Sequence, residues 1–226
     1  MARILCLDFD DTIVLDNTMR QIMERFGQPE WNDIGARYDR GELSVEQANS
    51  ACLDLVEAEP DEIRAYVRDV ARPRDGIREL ADWAHWNGWL VAVVSNGMDL
   101  YVDPVLDDLG LDRVARHAGR ARKEYRWRVR YYSPRGIEVQ SGFKLAYAAA
   151  FKNAGDFVVY VGDGSSDLDA ARLAPVVFAR DTLWARLKDE HPRIYPFETF
   201  HDVIAVLERE ADGWLASFSS TTAAEG

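Results

Sequence analysis

Cysteine is scarce in this sequence, and so are long apolar runs. The 226 residues include two cysteines, Cys6 and Cys52, which are too few for a disulfide framework or for a zinc site built from thiolates. No segment approaches the roughly 18 consecutive apolar residues that a membrane-spanning helix requires. The first ten residues turn acidic and hold no apolar core of a signal peptide. We therefore expect a cytoplasmic protein that has no membrane partner.

Positive charge is also in short supply. The chain has 27 lysines and arginines against 39 aspartates and glutamates, which gives a formal net charge of −12. This balance excludes general binding to nucleic acid or to anionic lipid, because both need a basic surface. Hydrophobic residues make up 47% of the chain, which is ordinary for a globular protein. The length fits one large domain, or a core with a small second domain.

Four short apolar runs do not alternate with polar residues, which is typical of strands covered on both faces of a parallel sheet. They are residues 4–7, 90–94, 157–161 and 176–179. Helical patterns alternate with these runs, at residues 76–86, 143–152, 182–188 and 203–207. The pattern predicts an α/β fold in which helices flank a parallel sheet.

A stretch without any strand pattern follows the first predicted strand. Its apolar residues recur at helical spacing over 22–26, 45–56 and 63–70. We therefore predict a small all-helical domain at 16–72, inserted into a core made of residues 1–15 and 73–216. Residues 217–226 are small and polar, and we predict that they form a disordered tail.

Residues 120–142 form an unusually basic segment, with seven basic and two acidic residues. Tyr125, Trp127, Val129 and Tyr131 alternate with cations, which is the periodicity of a strand, and the sequence Ser-Pro-Arg-Gly at 133–136 predicts a turn. A β-hairpin is expected here. Its arginines are either solvated or in contact with an anionic substrate or a partner subunit.

Carboxylates follow two of the predicted strands. Asp8 and Asp10 come directly after the first apolar run, and Asp163 and Asp167 come directly after the third. Because open α/β sheets bind ligands at the carboxyl ends of their strands, the four side chains are expected to meet there. Each pair taken alone also fits a surface turn or a helix cap. Mg²⁺ is the usual cation for carboxylates beside a phosphate.

Two further elements suit a phosphate. Residues 95–97, Ser-Asn-Gly, end the second apolar run, where a hydroxyl and backbone amides can hold phosphate oxygens. Lys144 lies at the start of a predicted helix, where a lysine opposes the helix dipole. An ordinary turn and a surface lysine are the alternative interpretations.

The motifs occur in the order Asp-x-Asp-x-Thr, Ser after an apolar strand, a single Lys, and Gly-Asp-x-x-x-Asp. This set strongly resembles the haloacid dehalogenase superfamily in its Mg²⁺-dependent phosphatase branch, over residues 4–180. The helical insertion is similar to the type-one cap of that family. The resemblance implies a Rossmann-like core that hydrolyses a small phosphorylated metabolite through an aspartyl-phosphate.

The resemblance also implies roles for individual residues. Asp8 is expected to be the nucleophile and a Mg²⁺ ligand. Asp10 is expected to be the general acid and then the base, with its backbone carbonyl on the metal, and Asp163 is expected to be the other metal carboxylate. The phosphate-binding residues are expected to be Ser95, Asn96, Gly97 and Lys144. Thr12 and Asp167 are expected to support the site.

Smaller segments at 28–31, 95–104 and 178–181 are similar to the branch that contains methionine-salvage and phosphoserine phosphatases. The sequence departs from that branch in having Asn96 where glycine is typical and Asp11 where glycine or serine is frequent. It has no cysteine in the basic segment, and Asn17 stands where phosphoserine phosphatases place an acid. Phosphoserine phosphatase-like activity, transfer of the phosphoryl group to an acceptor hydroxyl, and a non-catalytic binding role stay open as alternatives.

Recognition of the substrate is expected to fall to the helical insertion. The candidate contacts are Asn17, Met19, Arg20, Met23, Trp31 and Arg37. For the apolar candidates, packing inside the insertion is the competing interpretation, because methionine and tryptophan at helical spacing more often pack than recognise. A small phosphorylated molecule is the expected partner, and the chain is expected to be a monomer or a homodimer.

Overall fold

The computed structural model describes residues 1–224, with side chains described through residue 220. Its strands are β1 (Arg3–Leu7), β2 (Leu90–Met98), β3 (Ala115–Lys123), β4 (Trp127–Tyr132), β5 (Glu138–Val139), β6 (Phe157–Gly162), β7 (Val176–Ala179) and β8 (Ile194–Pro196). They form a sheet in the order β5-β4-β3-β2-β1-β6-β7-β8. The six strands from β3 to β8 in this order are parallel, and β4 and β5 extend the sheet in antiparallel fashion.

The four apolar runs form β1, β2, β6 and β7, as predicted. Leu5, Val93 and Val159 are fully buried, because helices cover the sheet on both faces. Neither β3 nor β8 corresponds to one of the predicted apolar runs. The β3 sequence is rich in arginine, and β8 is a three-residue edge strand that ends in a proline.

Ten α-helices accompany the strands in the described part of the chain. They are α1 (Thr18–Phe26), α2 (Trp31–Asp39), α3 (Val45–Asp54), α4 (Pro60–Val70), α5 (Ile77–Trp86), α6 (Asp99–Asp108), α7 (Phe143–Asn153), α8 (Leu168–Ala171), α9 (Asp181–Leu187) and α10 (Phe200–Ala224). Helices α1 to α4 lie between β1 and α5, where the sequence predicted a helical insertion. Helix α2 buries no residue fully, and only its partly buried Trp31 and Ile34 pack against the core.

Local chemistry explains where two helices of the insertion begin. Ser44 and Gln47 form a reciprocal capping box at the start of α3. Pro60 occupies the first position of α4, where its missing N–H has no partner to lose. These ends fix the orientation of α3, which packs against β2 and β4 of the sheet.

The basic segment forms the antiparallel strands β3, β4 and β5, with residues 133–136 as the turn between β4 and β5. One face of β3 and β4 carries exposed arginines, whereas Ala121 and Val129 on the other face join the hydrophobic core. Lys123 donates to the carbonyls of Glu57 and Ala58 at 2.6 and 3.0 Å. At least one cation of the segment therefore anchors the helical insertion.

The carboxyl-terminal helix is longer than the sequence predicted. Helix α10 extends to Ala224, so residues 217–224 are helical and the prediction of a disordered tail is wrong for them. Residues 225–226 lie outside the described residues. The ring of Phe218 packs edge-on against Phe157 of β6, with centroids 5.1 Å apart. Arg193 also donates to the Ser217 Oγ atom at 3.1 Å. Contacts with the rest of the protein therefore hold this part of α10, although the segment is made mostly of small polar residues.

None of the helices in residues 1–224 combines the length and the apolarity that crossing a bilayer demands.

The Phe218 contact leads to a prediction about stability. Phe218→Ala should lower the free energy of unfolding by about 2 kcal/mol, since it removes a half-buried ring from the core. Urea denaturation measures the change. Glu208→Ala, an exposed position on the same helix, is the control and should change stability by less than about 0.5 kcal/mol. Equal stability of the two variants would show that the end of α10 does not stabilise the core.

Candidate active site

The site lies where the carboxyl ends of three neighbouring strands meet. In the sheet, β1 is flanked by β2 and β6, and the chain connections run to opposite sides of β1. This is the switch point at which open α/β sheets leave a crevice for a ligand. Asp8 follows β1, Ser95 lies near the end of β2, and Asp163 follows β6.

A buried lysine connects two of the predicted carboxylates. The Lys144 Nζ atom lies 2.8 Å from Asp8 Oδ1 and 2.7 Å from Asp167 Oδ1. The three residues are 3%, 6% and 0% exposed. Burial alone would lower the pKa of Lys144, but the charges of Asp167 and Asp8 raise it above its usual value. Lys144 is therefore a firmly protonated counter-charge inside the protein.

Asp167 organises the loop that follows β6. Its Oδ1 atom accepts the Tyr160 hydroxyl at 2.6 Å in addition to Lys144. Its Oδ2 atom accepts the N–H groups of Asp163 and Gly164 at 3.1 and 2.9 Å. Both oxygens are thus engaged, and the glycine-containing turn is held against the end of β6.

Asp8, Asp163 and Asp167 each offer an oxygen within 4.8 Å of the others. Burial and the charge of Asp167 raise the pKa of Asp8 well above its usual value, although Lys144 opposes this. The same two causes raise the pKa of Asp163 to about 7, while Thr12 donates to its Oδ1 atom at 2.9 Å. A cluster with more carboxylates than lysines is suited to a divalent cation with oxygen ligands.

The side chain of Asp10 has different partners. Its Oδ1 atom accepts the Thr18 N–H at 2.7 Å, and its Oδ2 atom accepts the Tyr101 hydroxyl at 3.2 Å. Desolvation raises the pKa of Asp10 to about 6, although these hydrogen bonds lower it. A carboxyl group with this pKa can give and take a proton near neutral pH.

A buried arginine holds the loop after Asp10. Arg74 donates to the carbonyls of Asp11 and Thr12, both at 2.7 Å, and to that of Glu198 at 2.9 Å. Asp11 has a φ of 58°, in the left-handed region that favours glycine. The turn that glycine would fill without strain is therefore kept here by Arg74. Arg74 was missed because a lone arginine beside a proline gives no sequence signal.

Residues 95–97 leave the regular ladder of the sheet. The pairing of β2 with β3 shifts register between Val94 and Met98. Gly97 N–H donates to the Ser95 Oγ atom at 2.9 Å. Because this hydroxyl accepts from Gly97, its own hydrogen is left to be donated to a ligand.

A cavity of about 430 Å³ joins these groups to the helical insertion. The insertion and its first connection supply Asn17, Met19, Arg20, Tyr38, Val45, Ala48 and Asn49 to its lining. The core supplies Asp8, Asp10, Asp11, Ser95, Asn96, Gly97, Tyr101, Lys144, Asp163, Gly164, Ser165, Ser166 and Thr182.

Three predicted substrate contacts lie outside this lining. Met23 is buried in the hydrophobic core, and Trp31 packs against that core. Arg37 pairs with Glu42 at 3.4 Å on the surface. Helical spacing placed these residues on the insertion but could not distinguish the cavity side from its interior or its outer face.

Tyr38, Asn49 and Tyr101 were missed as lining or positioning residues. Asn49 did carry a signal, because it is a polar residue on the stripe that also holds Val45, Ala48 and Cys52. Tyr38 and Tyr101 reach the cavity only through the way that α2 and α6 are placed.

The sequence matches the haloacid dehalogenase-like hydrolase family over residues 5–172. The chain therefore belongs to this family of enzymes. Proteins named 2-hydroxy-3-keto-5-methylthiopentenyl-1-phosphate phosphatase from Bacillus thuringiensis subsp. konkukian and Bacillus cereus strain ATCC 10987 are 32% and 31% identical over 201 residues. The aligned region covers 87% of this chain and 91% of each relative. Family and relatives together make the chain a phosphoric monoester hydrolase.

Solved structures show the same fold. A phospho-aspartyl intermediate analogue of phosphoserine phosphatase superposes with a TM-score of 0.67 at 22% identity. The match covers 90% of this chain and 98% of the phosphoserine phosphatase chain. A probable phosphoserine phosphatase from Vibrio cholerae superposes with a TM-score of 0.71 at 21% identity. The match covers 92% of this chain and 64% of the Vibrio cholerae chain. These matches confirm the Rossmann-like core with a parallel sheet flanked by helices.

The buried lysine leads to a prediction. Lys144→Met should destabilise the protein by about 3 to 5 kcal/mol, because it leaves Asp8 and Asp167 facing each other without a counter-charge. Urea denaturation in EDTA measures this. Lys152→Met, at an exposed position of the same helix, is the control. If both variants were equally stable, the buried ion pairs would not hold the site together.

Proposed function

We propose that this enzyme is a Mg²⁺-dependent phosphatase that hydrolyses a small phosphorylated metabolite through an aspartyl-phosphate on Asp8. The observation that carries the proposal is the position of Asp8. Its carboxylate contacts Lys144, lies within 4.8 Å of an Asp163 oxygen, and faces the cavity that Ser95 also lines. A nucleophile, a counter-charge and a hydrogen-bond donor for phosphate are thereby brought together.

The reaction is proposed to proceed in two steps. In the first, an Asp8 oxygen forms a bond to phosphorus, the phosphorus–oxygen ester bond breaks, and Asp10 gives its proton to the leaving oxygen. In the second, Asp10 takes a proton from water, which attacks the same phosphorus and releases phosphate from Asp8. A pKa of about 6 suits Asp10 to both roles. Lys144 and the Ser95 hydroxyl stabilise the charge on the phosphoryl oxygens.

The acidic cluster fits Mg²⁺ by the chemistry of its donors. Asp8 and Asp163 are proposed to supply carboxylate oxygens, and the family resemblance adds the backbone carbonyl of Asp10. Both oxygens of Asp167 already accept hydrogen bonds, so Asp167 is proposed to hold the loop and Lys144. When bound, Mg²⁺ offsets the negative charge that an anionic phosphate brings to Asp8.

The cavity supports a substrate like that named in the relatives. That substrate combines a phosphate and polar oxygens with an apolar methylthio end. Met19, Val45 and Ala48 provide apolar lining, and Arg20, Tyr38 and Asn49 provide polar lining. The volume of about 430 Å³ is that of a small-molecule site, and it favours a metabolite over a phosphoprotein.

Phosphoserine is less well matched. The Asn17 Oδ1 atom accepts the Arg20 N–H as the cap of α1. Within the described residues of α1 to α3, no carboxylate lines the cavity. An amino group on the substrate therefore finds no ion-pair partner on the insertion.

Asp8→Asn tests the proposed chemistry. Phosphate release should fall at least about a thousandfold, because an amide does not replace the carboxylate nucleophile. Release is measured on a panel that contains the methionine-salvage phosphate, phosphoserine, sugar phosphates and pyridoxal phosphate. Asp189→Asn, at an exposed site, should keep full activity.

Two outcomes of this assay would contradict the proposal. Undiminished phosphate release by Asp8→Asn would exclude Asp8 as the nucleophile. Consumption of substrate with little free phosphate, balanced by a phosphorylated acceptor hydroxyl, would show that the enzyme transfers the phosphoryl group instead of hydrolysing the ester.

The proposed metal site leads to a separate prediction. Asp163→Asn should raise the Kd for Mg²⁺ at least about tenfold, because it replaces a charged ligand with a neutral amide. Titration calorimetry measures binding without turnover. Asp169→Asn, in an exposed pair with Arg172, should leave the Kd unchanged. An unchanged Kd in Asp163→Asn would place the metal elsewhere.

A further inference from the structure

Helix α3 of the insertion holds Asn96, which belongs to the proposed phosphate-binding segment 95–97, through two hydrogen bonds. The Asn96 side-chain amide donates to Glu46 Oε1 at 3.1 Å. The backbone carbonyl of Asn96 accepts the Asn49 side-chain amide at 2.7 Å. Glu46 and Asn49 are three residues apart and therefore share one face of the helix. The seating of α3 thus fixes both the side chain and the backbone of Asn96.

The hydrogen bond to the Asn96 carbonyl fixes the direction in which the Gly97 N–H points. Tyr131 also donates to this carbonyl, at 2.6 Å. Because the carbonyl and the following N–H of a trans peptide point in opposite directions, the Gly97 N–H is turned to the other side. There it donates to Ser95 Oγ at 2.9 Å. The orientation of this peptide therefore leaves the Ser95 hydroxyl as a donor toward the cavity.

Glu46 also contacts α7, the helix that carries Lys144. Its Oε1 atom accepts the Phe143 N–H at 2.8 Å. Phe143 is the first residue of α7, and the preceding Gly142 has no side chain to cap the helix. A carboxyl oxygen at a helix start is favourable, since it satisfies a free N–H at the positive end of the dipole. Lys144 is the next residue, so Glu46 also anchors the turn that presents the lysine.

The burial of the Glu46 carboxyl group costs free energy, which a role in packing alone does not explain. Glu46 is 3% exposed and its Oε2 atom is buried without a hydrogen-bond partner. Its Oε1 atom is paired with uncharged donors, and none of the ion pairs in the described residues includes Glu46. Burial of a carboxyl group is unfavourable when one of its oxygens has no hydrogen-bond partner and no cation pairs with it. The two donors that it serves both belong to segments that bear proposed phosphate-binding groups.

We propose that Glu46 is a positioning residue that couples the seating of the helical insertion to the phosphate-binding groups. It acts through Asn96 on the Ser95–Gly97 segment and through Phe143 on Lys144. The inference rests on the proposed function, since it concerns the same site. It assigns to the insertion a part in holding phosphate, in addition to lining the cavity.

Binding of inorganic phosphate in the presence of Mg²⁺ tests the proposal without turnover. Glu46→Ala should weaken phosphate binding about tenfold, because two buried donors lose their acceptor. Amide hydrogen exchange should become faster at Gly97 and Phe143. Glu46→Gln, which keeps an acceptor oxygen, should bind within about threefold of the unchanged protein.

Gln47→Ala is the matched control. It removes the hydrogen bond from the Ser44 N–H to the Gln47 side chain at the start of α3, and it leaves the contacts of Glu46 with Asn96 and Phe143 in place. Phosphate binding and exchange at Phe143 should stay near those of the unchanged protein. If Glu46→Ala behaved like this control, or if Glu46→Gln bound as weakly as Glu46→Ala, Glu46 would be a packing residue and the proposal would be wrong.

Tyr131→Phe keeps the test decisive if Glu46→Ala does not fold. It removes the hydroxyl that holds the Asn96 carbonyl and keeps the ring in the core. Phosphate binding should weaken about threefold, with faster exchange at Gly97. Unchanged binding would overturn the role of the Asn96 peptide. An absence of phosphate release from every substrate in the unchanged protein would defeat the proposed function alone, since phosphate binding is measured separately.

Discussion

The contact of the Lys144 ammonium with Asp8 and Asp167 is the interaction on which the rest of the site depends. The strand ends of a parallel sheet bring carboxylates together inside the protein, where burial raises the pKa of Asp8 and that of Asp163. A single buried ammonium makes that arrangement tolerable. It is held by ion pairs of 2.8 and 2.7 Å, and it comes from a helix whose start is fixed by Gly142 at a φ of 71°.

The same charges define what the site is able to bind. Asp8, Asp163 and Asp167 outnumber the one lysine among them, so a divalent cation is the partner that would neutralise the cluster. Asp10 is directed away from this cluster by Thr18 and Tyr101. Two carboxylates that are two residues apart in sequence therefore have different environments, one suited to nucleophilic attack and the other to proton transfer.

Sequence reasoning succeeded where the signal was local. Buried parallel strands appear as apolar runs. Strand ends and glycine turns predicted that Asp8, Asp10, Asp163 and the segment around Ser95 lie at one edge of the sheet, and all of them line one cavity there. It failed where the signal was tertiary. Arginine-rich β3 is a strand because β2 and β4 pair with it. Helix α10 extends beyond its predicted end, where Phe218 packs against Phe157. The cavity side of the insertion likewise depends on how its helices are placed, which spacing alone does not specify.

The two sides of the cavity are built differently. On the core side, Lys144 and Asp167 are held by short polar contacts between buried groups, which fix the end that is proposed to receive phosphate. On the insertion side, Met19, Val45 and Ala48 present side chains without polar atoms. A change of these residues can alter the fit of a substrate while leaving the phosphate end intact. Helix α3 is an exception, because the face that lines the cavity also contacts Asn96. Specificity and phosphate binding are therefore mechanically linked through α3.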